Sequence, residues 1–306
     1  MVPAAHVHAV VLSPVSVIAI ALACVGCSQG PTAASKGERA LAAPARAHVL
    51  VWATTAEDGP PSTYALADDG APLSRRNGIR IWASGTEWAP EVSEVPIPTR
   101  DCEEGPASPA QEGRGVRVRL VPADRTRPAL EIVAPSPGDQ ANELQQSARL
   151  LASVGPYVFV EESTFTYTCG AHGNTGVSFA VWSLDDGRAV DLLSDLPDRQ
   201  HLLASGKRAI DALPDAVDFS RPEDPPAVTE LLPRLGAHGR LEASALVTVA
   251  SCYACTGGGW SSYTVSTQIP VPLPWRLRGV APPPRAVGLF ADTHPGLTVG
   301  GYSVVP

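Results

Sequence analysis

The sequence lacks the short motifs that mark several common classes of enzyme and nucleotide-binding protein. HExxH, GxxxxGK and GxGxxG are all absent, so no pattern predicts a zinc-protease helix or a phosphate-binding loop. The single GxSxG match, at residues 26–30, directly follows the apolar amino-terminal run and not a strand of a folded domain, so it does not indicate a nucleophile elbow. Lysine is scarce, with only Lys36 and Lys207 among 23 basic residues, and the net charge is -8. Because affinity for nucleic acid comes mainly from neutralised phosphates, we expect no nucleic-acid partner for an acidic chain without a basic run.

Charge is also missing from the amino-terminal end. The first 35 residues contain no Asp, Glu, Lys or Arg, and residues 10–25 are almost wholly apolar. A transmembrane helix needs roughly 18 or more such residues, whereas a shorter apolar core is typical of a cleaved export signal. The sequence therefore predicts that the chain leaves the cytoplasm.

Two cysteines in this region follow small residues, in Leu22-Ala23-Cys24 and in Val25-Gly26-Cys27. This pattern resembles the bacterial lipoprotein signal, in which the cysteine becomes acylated, and Cys27 is the better candidate because a small, polar run follows it. We predict a signal peptide over residues 1–26 and a flexible tether over 27–46. By resemblance to lipoprotein sorting, Ser28 indicates the outer membrane, so the expected location is the cell envelope, lipid-anchored and facing the periplasm or the surface.

Four further cysteines remain: Cys102, Cys169, Cys252 and Cys255. An even number in an exported chain favours disulfides, and four cysteines allow three pairings. We prefer Cys102 with Cys169 and Cys252 with Cys255, although sequence does not select among the three. Cys252 and Cys255 have redox spacing, but a turn follows them instead of the helix that would lower a thiol pKa. Without a second ligand pair nearby, the sequence also gives no argument for a metal site.

Residues 47–135 alternate short apolar runs with turn signals such as Asp68-Asp69-Gly70 and Asn77-Gly78. Period-two alternation between such turns predicts a β meander. The predicted strands are His48–Trp52, Thr63–Leu66, Ile79–Trp82, Val116–Leu120 and Leu130–Val133.

Residues 136–306 mix the two periodicities, which predicts an α+β domain. One helix is expected at 140–153, where apolar residues recur at intervals of four and three. A second is expected at 198–213, with Leu203, Ile210 and Leu213 on one side, and a short third helix is expected near 228–235. The expected strands are 157–168, 177–184, 188–193, 241–253 and 260–271, with an edge strand around Gly300-Gly301 and 302–305. The predicted fold class is thus β-rich α+β, with a mainly antiparallel sheet and two or three packed helices.

The segment from Phe159 to Leu193 resembles an extracytoplasmic domain found in lysozyme-sensing anti-sigma factors (RsiV type) and in accessory regions of peptidoglycan deacetylases (PdaC type). The resemblance rests on an aromatic- and Thr-rich strand, the run Gly170-Ala171-His172-Gly173-Asn174, and a later Asp186-Gly187-Arg188 turn. It implies helices on an antiparallel sheet and, in its studied members, binding of a wall-directed protein. The family usually has Gly where this chain has Cys169.

Glycines at intervals of three in residues 170–176 make positive φ and close backbone approach available to a loop. His172 could therefore contact a ligand, or it could simply make a local hydrogen bond in a strand connection. Exposed aromatic residues could form a groove, or they could pack in the core. The binding candidates are Gly170, His172, Gly173, Asn174, Trp182 and Trp260.

Three functions stay open on the sequence. The leading hypothesis is an envelope lipoprotein acting as a non-enzymatic binding module for a cell-wall component, such as peptidoglycan, or for a basic wall-cleaving protein such as lysozyme. The second is an enzyme, either a thiol oxidoreductase or a cell-wall hydrolase. Adjacent acids such as Glu161-Glu162 do not indicate an acid/base pair, because neighbours on a strand face opposite ways. The third is a structural surface lipoprotein, and none of the three requires a cofactor.

Overall fold

The computed structural model describes residues 48–306 except for 56–58, 100–111, 125–126, 138–141, 169–172, 213–224, 236–238 and 251–263. The strands in the first half of this part of the chain are β1 (His48–Thr55), β2 (Ser62–Leu66), β3 (Pro72–Asn77), β4 (Ile81–Ala83), β5 (Thr86–Pro98), β6 (Glu112–Pro122) and β7 (Leu130–Val133). Those in the second half are β8 (Glu143–Val154), β9 (Tyr157–Tyr167), β10 (Asn174–Ser183), β11 (Arg188–Ala189), β12 (Ala227–Leu235), β13 (Leu241–Ala250), β14 (Thr264–Val271) and β15 (Leu297–Val305). The helices are α1 (Arg199–Asp211), α2 (Trp275–Arg278) and α3 (Arg285–Thr293).

The larger sheet follows the order β11-β10-β9-β8-β15-β1-β2-β3, and β6 joins it beside β8, with β5 and β7 on β6 and β4 on β5. The pairings are antiparallel except those of β8 with β15 and with β6. A smaller antiparallel sheet has the order β12-β13-β14. The predicted class, a β-rich α+β fold with a mainly antiparallel sheet and packed helices, is confirmed.

The strand β15 lies inside the larger sheet, so the predicted edge position is wrong. It pairs with β1 on one side and with β8 on the other. Two glycines explain how β15 fits between its neighbours. A Cβ at Gly300 would lie 2.0 Å from the ring of Trp52, and a Cβ at Gly301 would lie 2.4 Å from the carbonyl oxygen of Ser153. The Trp52 indole N–H donates to Ser153 Oγ at 2.7 Å across this point. Only a backbone without side chains can pass between these two residues.

Two predicted helices are strands. Residues 140–153 were expected to be helical from Leu144, Ala148 and Leu151, but β8 runs through this segment. Leu144 and Gln146 both point inward and are buried, so a polar residue at an inward position hid the period of two. The segment near 228–235 is β12, which pairs with β13 through a bulge after Val228. In both cases pairing and burial in a sheet override local helix propensity.

Other predicted elements are confirmed. The five strands expected before residue 135 are present, and β9 and β10 pair antiparallel over their length. β13 and β14 are antiparallel neighbours as expected. The predicted strand over 188–193 is limited to the two residues of β11. Helix α1 begins after Asp198, whose Oδ1 accepts a hydrogen bond from the His201 N–H at 3.2 Å.

The main hydrophobic core lies between the two sheets and the helices. Helix α1 approaches the small sheet through Gly206, where a Cβ would lie 2.4 Å from Val247. Phe290 of α3 is fully buried and contacts Tyr64 of β2, with 5.0 Å between ring centroids. In the described part of the chain, none of the helices has the length and apolar character needed to cross a membrane.

Candidate functional site

Many of the candidate residues from the sequence lie outside the described residues. These are the lipidation candidate Cys27, the cysteines Cys102, Cys169, Cys252 and Cys255, and the binding candidates Gly170, His172 and Trp260. The predictions on acylation, disulfide pairing and the loop histidine therefore stay predictions. The described candidates are Gly173, Asn174 and Trp182.

Gly173 and Asn174 lie where β10 begins, at the far end of the β9–β10 hairpin. Asn174 pairs with Thr166 in the sheet. A Cβ at Gly173 would lie 2.3 Å from two ring carbons of Phe165, so the glycine backbone packs directly on that ring. This close approach explains the glycine without any ligand.

Trp182 lies at the opposite end of β10. It is eight positions after Asn174, which corresponds to about 26 Å along a strand. The Trp182 side chain is half-buried and packs against a core cluster that includes Val158 and Leu184. Its buried indole N–H has no hydrogen-bond partner among the described residues. The structure thus separates Trp182 from Gly173 and Asn174 and does not join them in one groove.

The end of the hairpin near Trp182 carries a concentration of negative charge. Residues 185–198 contain five aspartates and one arginine. Asp185 and Asp186 form the turn between β10 and β11, while Asp191 and Asp195 lie in the connection from β11 to α1. Tyr157 at the start of β9 and the pair Trp275 and Arg276 of α2 adjoin them. We call these seven residues the acidic corner: Tyr157, Asp185, Asp186, Asp191, Asp195, Trp275 and Arg276.

Local hydrogen bonds hold the exposed aspartates in place. Asp186 Oδ2 accepts from Ser183 Oγ at 3.0 Å, and the Asp186 N–H donates back to the same hydroxyl at 3.2 Å. Asp191 Oδ1 accepts from two backbone N–H groups, at 3.0 and 3.1 Å. Asp185 accepts a hydrogen bond from Ser84 Oγ, in the tight turn between β4 and β5 where Ser84 has a φ of 53°. Because these carboxylates are positioned before any partner arrives, little ordering entropy opposes binding there.

The pKa of Tyr157 reflects several of the charges in the acidic corner. Burial raises the pKa of its hydroxyl, Arg276 acts in the opposite direction, and the negative charges of Asp186, Asp185 and Asp195 raise the pKa further. Three aspartates from two separate loops therefore act on one hydroxyl. The turn after β10 and the connection before α1 therefore both place negative charge near the Tyr157 hydroxyl.

The sequence analysis did not predict that Trp275 and Arg276 belong to a candidate site. The Trp275 side chain is 59% exposed, and the Arg276 guanidinium carbon lies 5.0 Å from the centroid of its ring. The available signal was Pro274 before a Trp-Arg-Leu-Arg run, since proline is favoured where a helix begins. Only folding shows that this short helix lies beside aspartates 80 to 90 positions earlier in the chain.

A second group of charged residues lies where β12 meets β8. Glu230 of β12 is buried, and burial raises the pKa of its carboxyl, with the nearby negative charge of Glu161 adding to the effect and Arg149 opposing it. Glu161 pairs with Arg149 through contacts of 2.9 and 3.2 Å. Glu162 points to the other side and accepts from Gln146 Nε2 at 2.7 Å. The expectation that Glu161 and Glu162 face opposite ways is therefore correct.

Comparisons with known proteins give little beyond this geometry. No family model matches the chain, and no curated protein matches it. Among solved structures, it is similar to a DUF3298 family protein from Pseudomonas aeruginosa PAO1, known from a crystal structure at 2.15 Å resolution. The match has a TM-score of 0.31 and 15% identity, and it covers 66% of this chain and 96% of the other. A similarity at that level carries no argument about function.

Proposed function

We propose that this chain is an envelope lipoprotein, tethered through Cys27, whose α+β domain is a non-enzymatic binding module for a basic wall-cleaving protein such as lysozyme or for a cell-wall component. The amino-terminal pattern supports the anchor, and the acidic corner supports the choice of a basic partner. The corner is the observation that carries the proposal. It joins fixed carboxylates to an exposed indole on one surface.

The chemistry of the acidic corner suits a cationic protein. Complementary charge speeds encounter and selects among partners, and its effect falls as salt is added. Exposed tryptophan supplies apolar contact area and a ring face that attracts cations. A basic protein can use both features, whereas an anionic polymer is repelled by the carboxylates. The basic partner is therefore favoured over an acidic wall polymer.

The first experiment is binding of lysozyme, measured by calorimetry over a series of salt concentrations. We expect affinity to fall with salt, and Asp185→Asn with Asp186→Asn to weaken binding. At about 0.5–1 kcal/mol for each exposed ion pair, the expected loss is about 5- to 30-fold. The matched control is Asp68→Asn with Glu94→Gln, which removes the same charge from exposed positions outside the corner. An equal loss in both double variants would show that only net charge matters and would reject the site.

Purified peptidoglycan is the second probe. If peptidoglycan binds and lysozyme does not, the module recognises a wall component and the acidic corner is not its site. If neither binds, the structural surface lipoprotein becomes the better hypothesis. Titration of free thiols on the native protein tests the oxidoreductase alternative, because a reactive low-pKa pair at Cys252 and Cys255 would favour it.

The anchor is tested separately. Mass spectrometry of the membrane-associated protein is expected to show an acylated amino-terminal Cys27, and Cys27→Ala is expected to release the chain from the membrane fraction. An unprocessed amino terminus in the soluble cytosolic fraction would contradict both the anchor and the export prediction.

A further inference from the structure

Trp275 and Arg276 make an intramolecular contact of the kind that a bound arginine would make with an exposed tryptophan. The guanidinium of Arg276 lies over the indole of Trp275 at 5.0 Å, which is the geometry of a cation–π contact. The indole itself remains 59% exposed. A guanidinium from another molecule can therefore reach the same ring.

Asp195 lies on the other side of Arg276. Its side chain is only 8% exposed, and Oδ2 is buried without a hydrogen-bond partner in the described part of the chain. Arg276 forms a salt bridge with it, with 3.6 Å between Nε and Oδ2. A buried carboxylate oxygen without a hydrogen bond is costly, so this position favours a closer donor than the one it has.

The contacts of Arg276 with its neighbours are long. Besides the 3.6 Å to Asp195, its Nη1 donates to the Asp191 carbonyl oxygen at 3.4 Å. Charge-assisted hydrogen bonds are usually about 2.7–2.9 Å long. The same chain contains such pairs, since Arg117 with Glu131, Arg119 with Glu91 and Arg149 with Glu161 all have 2.9 Å contacts. Arg276 is held by longer contacts than these three pairs, as are Arg80 at 3.5 Å from Glu87 and Arg234 at 4.0 Å from Glu242, and longer contacts favour displacement.

Negative charge remains around Arg276 after its own charge is counted. Asp185, Asp186, Asp191 and Asp195 carry four negative charges, against one positive charge on Arg276 and one on Arg188. A second cation is therefore attracted to the corner while Arg276 is still in place.

We infer that Arg276 is an internal occupant of a guanidinium site, and that a basic polypeptide inserts an arginine side chain between Trp275 and Asp195 in its place. The inference rests on the proposed function and gives its recognition chemistry. Arginine is expected over lysine because a planar guanidinium stacks on an indole and pairs with a carboxylate through two parallel hydrogen bonds. An ammonium group offers neither feature.

The test uses the mature protein and two probes of equal length and charge, an arginine oligopeptide and a lysine oligopeptide. Arg276→Met removes the internal cation and keeps an extended side chain. We expect it to strengthen binding of the arginine peptide by about tenfold and to strengthen binding of the lysine peptide less. Arg278→Met is the control, because Arg278 is exposed on the same short helix and its loss changes the net charge equally.

Two further variants test the contacts. Trp275→Ala, at an exposed position, and Asp195→Asn, which keeps the shape, are each expected to remove the gain when combined with Arg276→Met. Thermal unfolding of each variant confirms that it is folded. Equal gains for Arg276→Met and Arg278→Met, or no preference for arginine over lysine, would overturn the inference.

The outcomes also separate this inference from the proposed function. If lysozyme binding depends on Asp185 and Asp186 but Arg276→Met gives no arginine preference, the proposed function stands and the guanidinium site is rejected. If neither oligopeptide nor lysozyme binds to any variant, both are rejected. If the arginine peptide binds as expected and lysozyme does not, the site stands and its partner is a different basic polypeptide.

Discussion

Substitution of Gly301 by alanine tests the central position of β15 most directly. The new Cβ would lie 2.2 Å from Ser153 Oγ, 2.4 Å from the Ser153 carbonyl oxygen and 2.6 Å from the Trp52 indole nitrogen. Non-bonded heavy atoms normally remain about 3.5–4.0 Å apart. Each neighbour would therefore have to move by about an ångström.

The expected loss of stability depends on which of these neighbours can move. Gly301 pairs with Ser153 in the parallel contact between β15 and β8, so the Ser153 backbone cannot retreat without loss of that pairing. Overpacking of this kind costs about 1–3 kcal/mol. Loss of the buried bond between Trp52 and Ser153 leaves an unpaired donor and costs about 1–3 kcal/mol more. The middle of the summed range is a destabilisation of about 4 kcal/mol, which lowers the Tm of a domain of this size by roughly 8–16 °C.

The assay is denaturant unfolding followed by tryptophan fluorescence, with thermal unfolding as a second measurement. Gly296→Ala is the matched control, since a Cβ there would have nothing within 4 Å. We expect the control to change the free energy of unfolding by less than about 0.5 kcal/mol. If Gly301→Ala is as stable as Gly296→Ala, β15 does not pass between Trp52 and Ser153 and the central position is refuted.

Three other substitutions test polar groups of the fold. Gln146→Leu removes a side chain whose amide makes four hydrogen bonds, one of them to Glu162, and is expected to cost at least about 3 kcal/mol in denaturant unfolding; a neutral result would show that the network is not needed. Glu230 has a raised pKa, so its contribution to stability is present below its ordinary value of 4.5 and is lost as pH rises through the folded-state pKa. We therefore expect Glu230→Gln to be more stable than wild type at neutral pH, with the difference shrinking toward acid; a difference independent of pH would contradict this. Asp198→Ala loses the cap of α1 and places alanine at a φ of 51°, which is expected to cost about 2 kcal/mol, whereas Asp198→Asn keeps both the cap and the tolerance of that φ and should change stability little.

The site was harder to predict than the fold because its parts come from distant segments. The turn that includes Asp186 was expected between two strands, and it is present. Nothing in the sequence joins that turn to Trp275 or Arg276, since the contact forms only when α2 packs beside the connection before α1. Trp182 and Gly173 illustrate the opposite case, because residues close in sequence lie at opposite ends of one strand.

The sequence by itself determined the features that depend on short-range physics. Alternation and turn residues placed β9, β10 and the early strands, and Asp198 marked the start of α1, because these signals act between residues a few positions apart. Tertiary structure decided what depends on partners far along the chain. Residues 143–154 are a strand because β9 and β15 flank them, and the glycines of β15 place it inside the sheet because Trp52 and Ser153 occupy the space on either side.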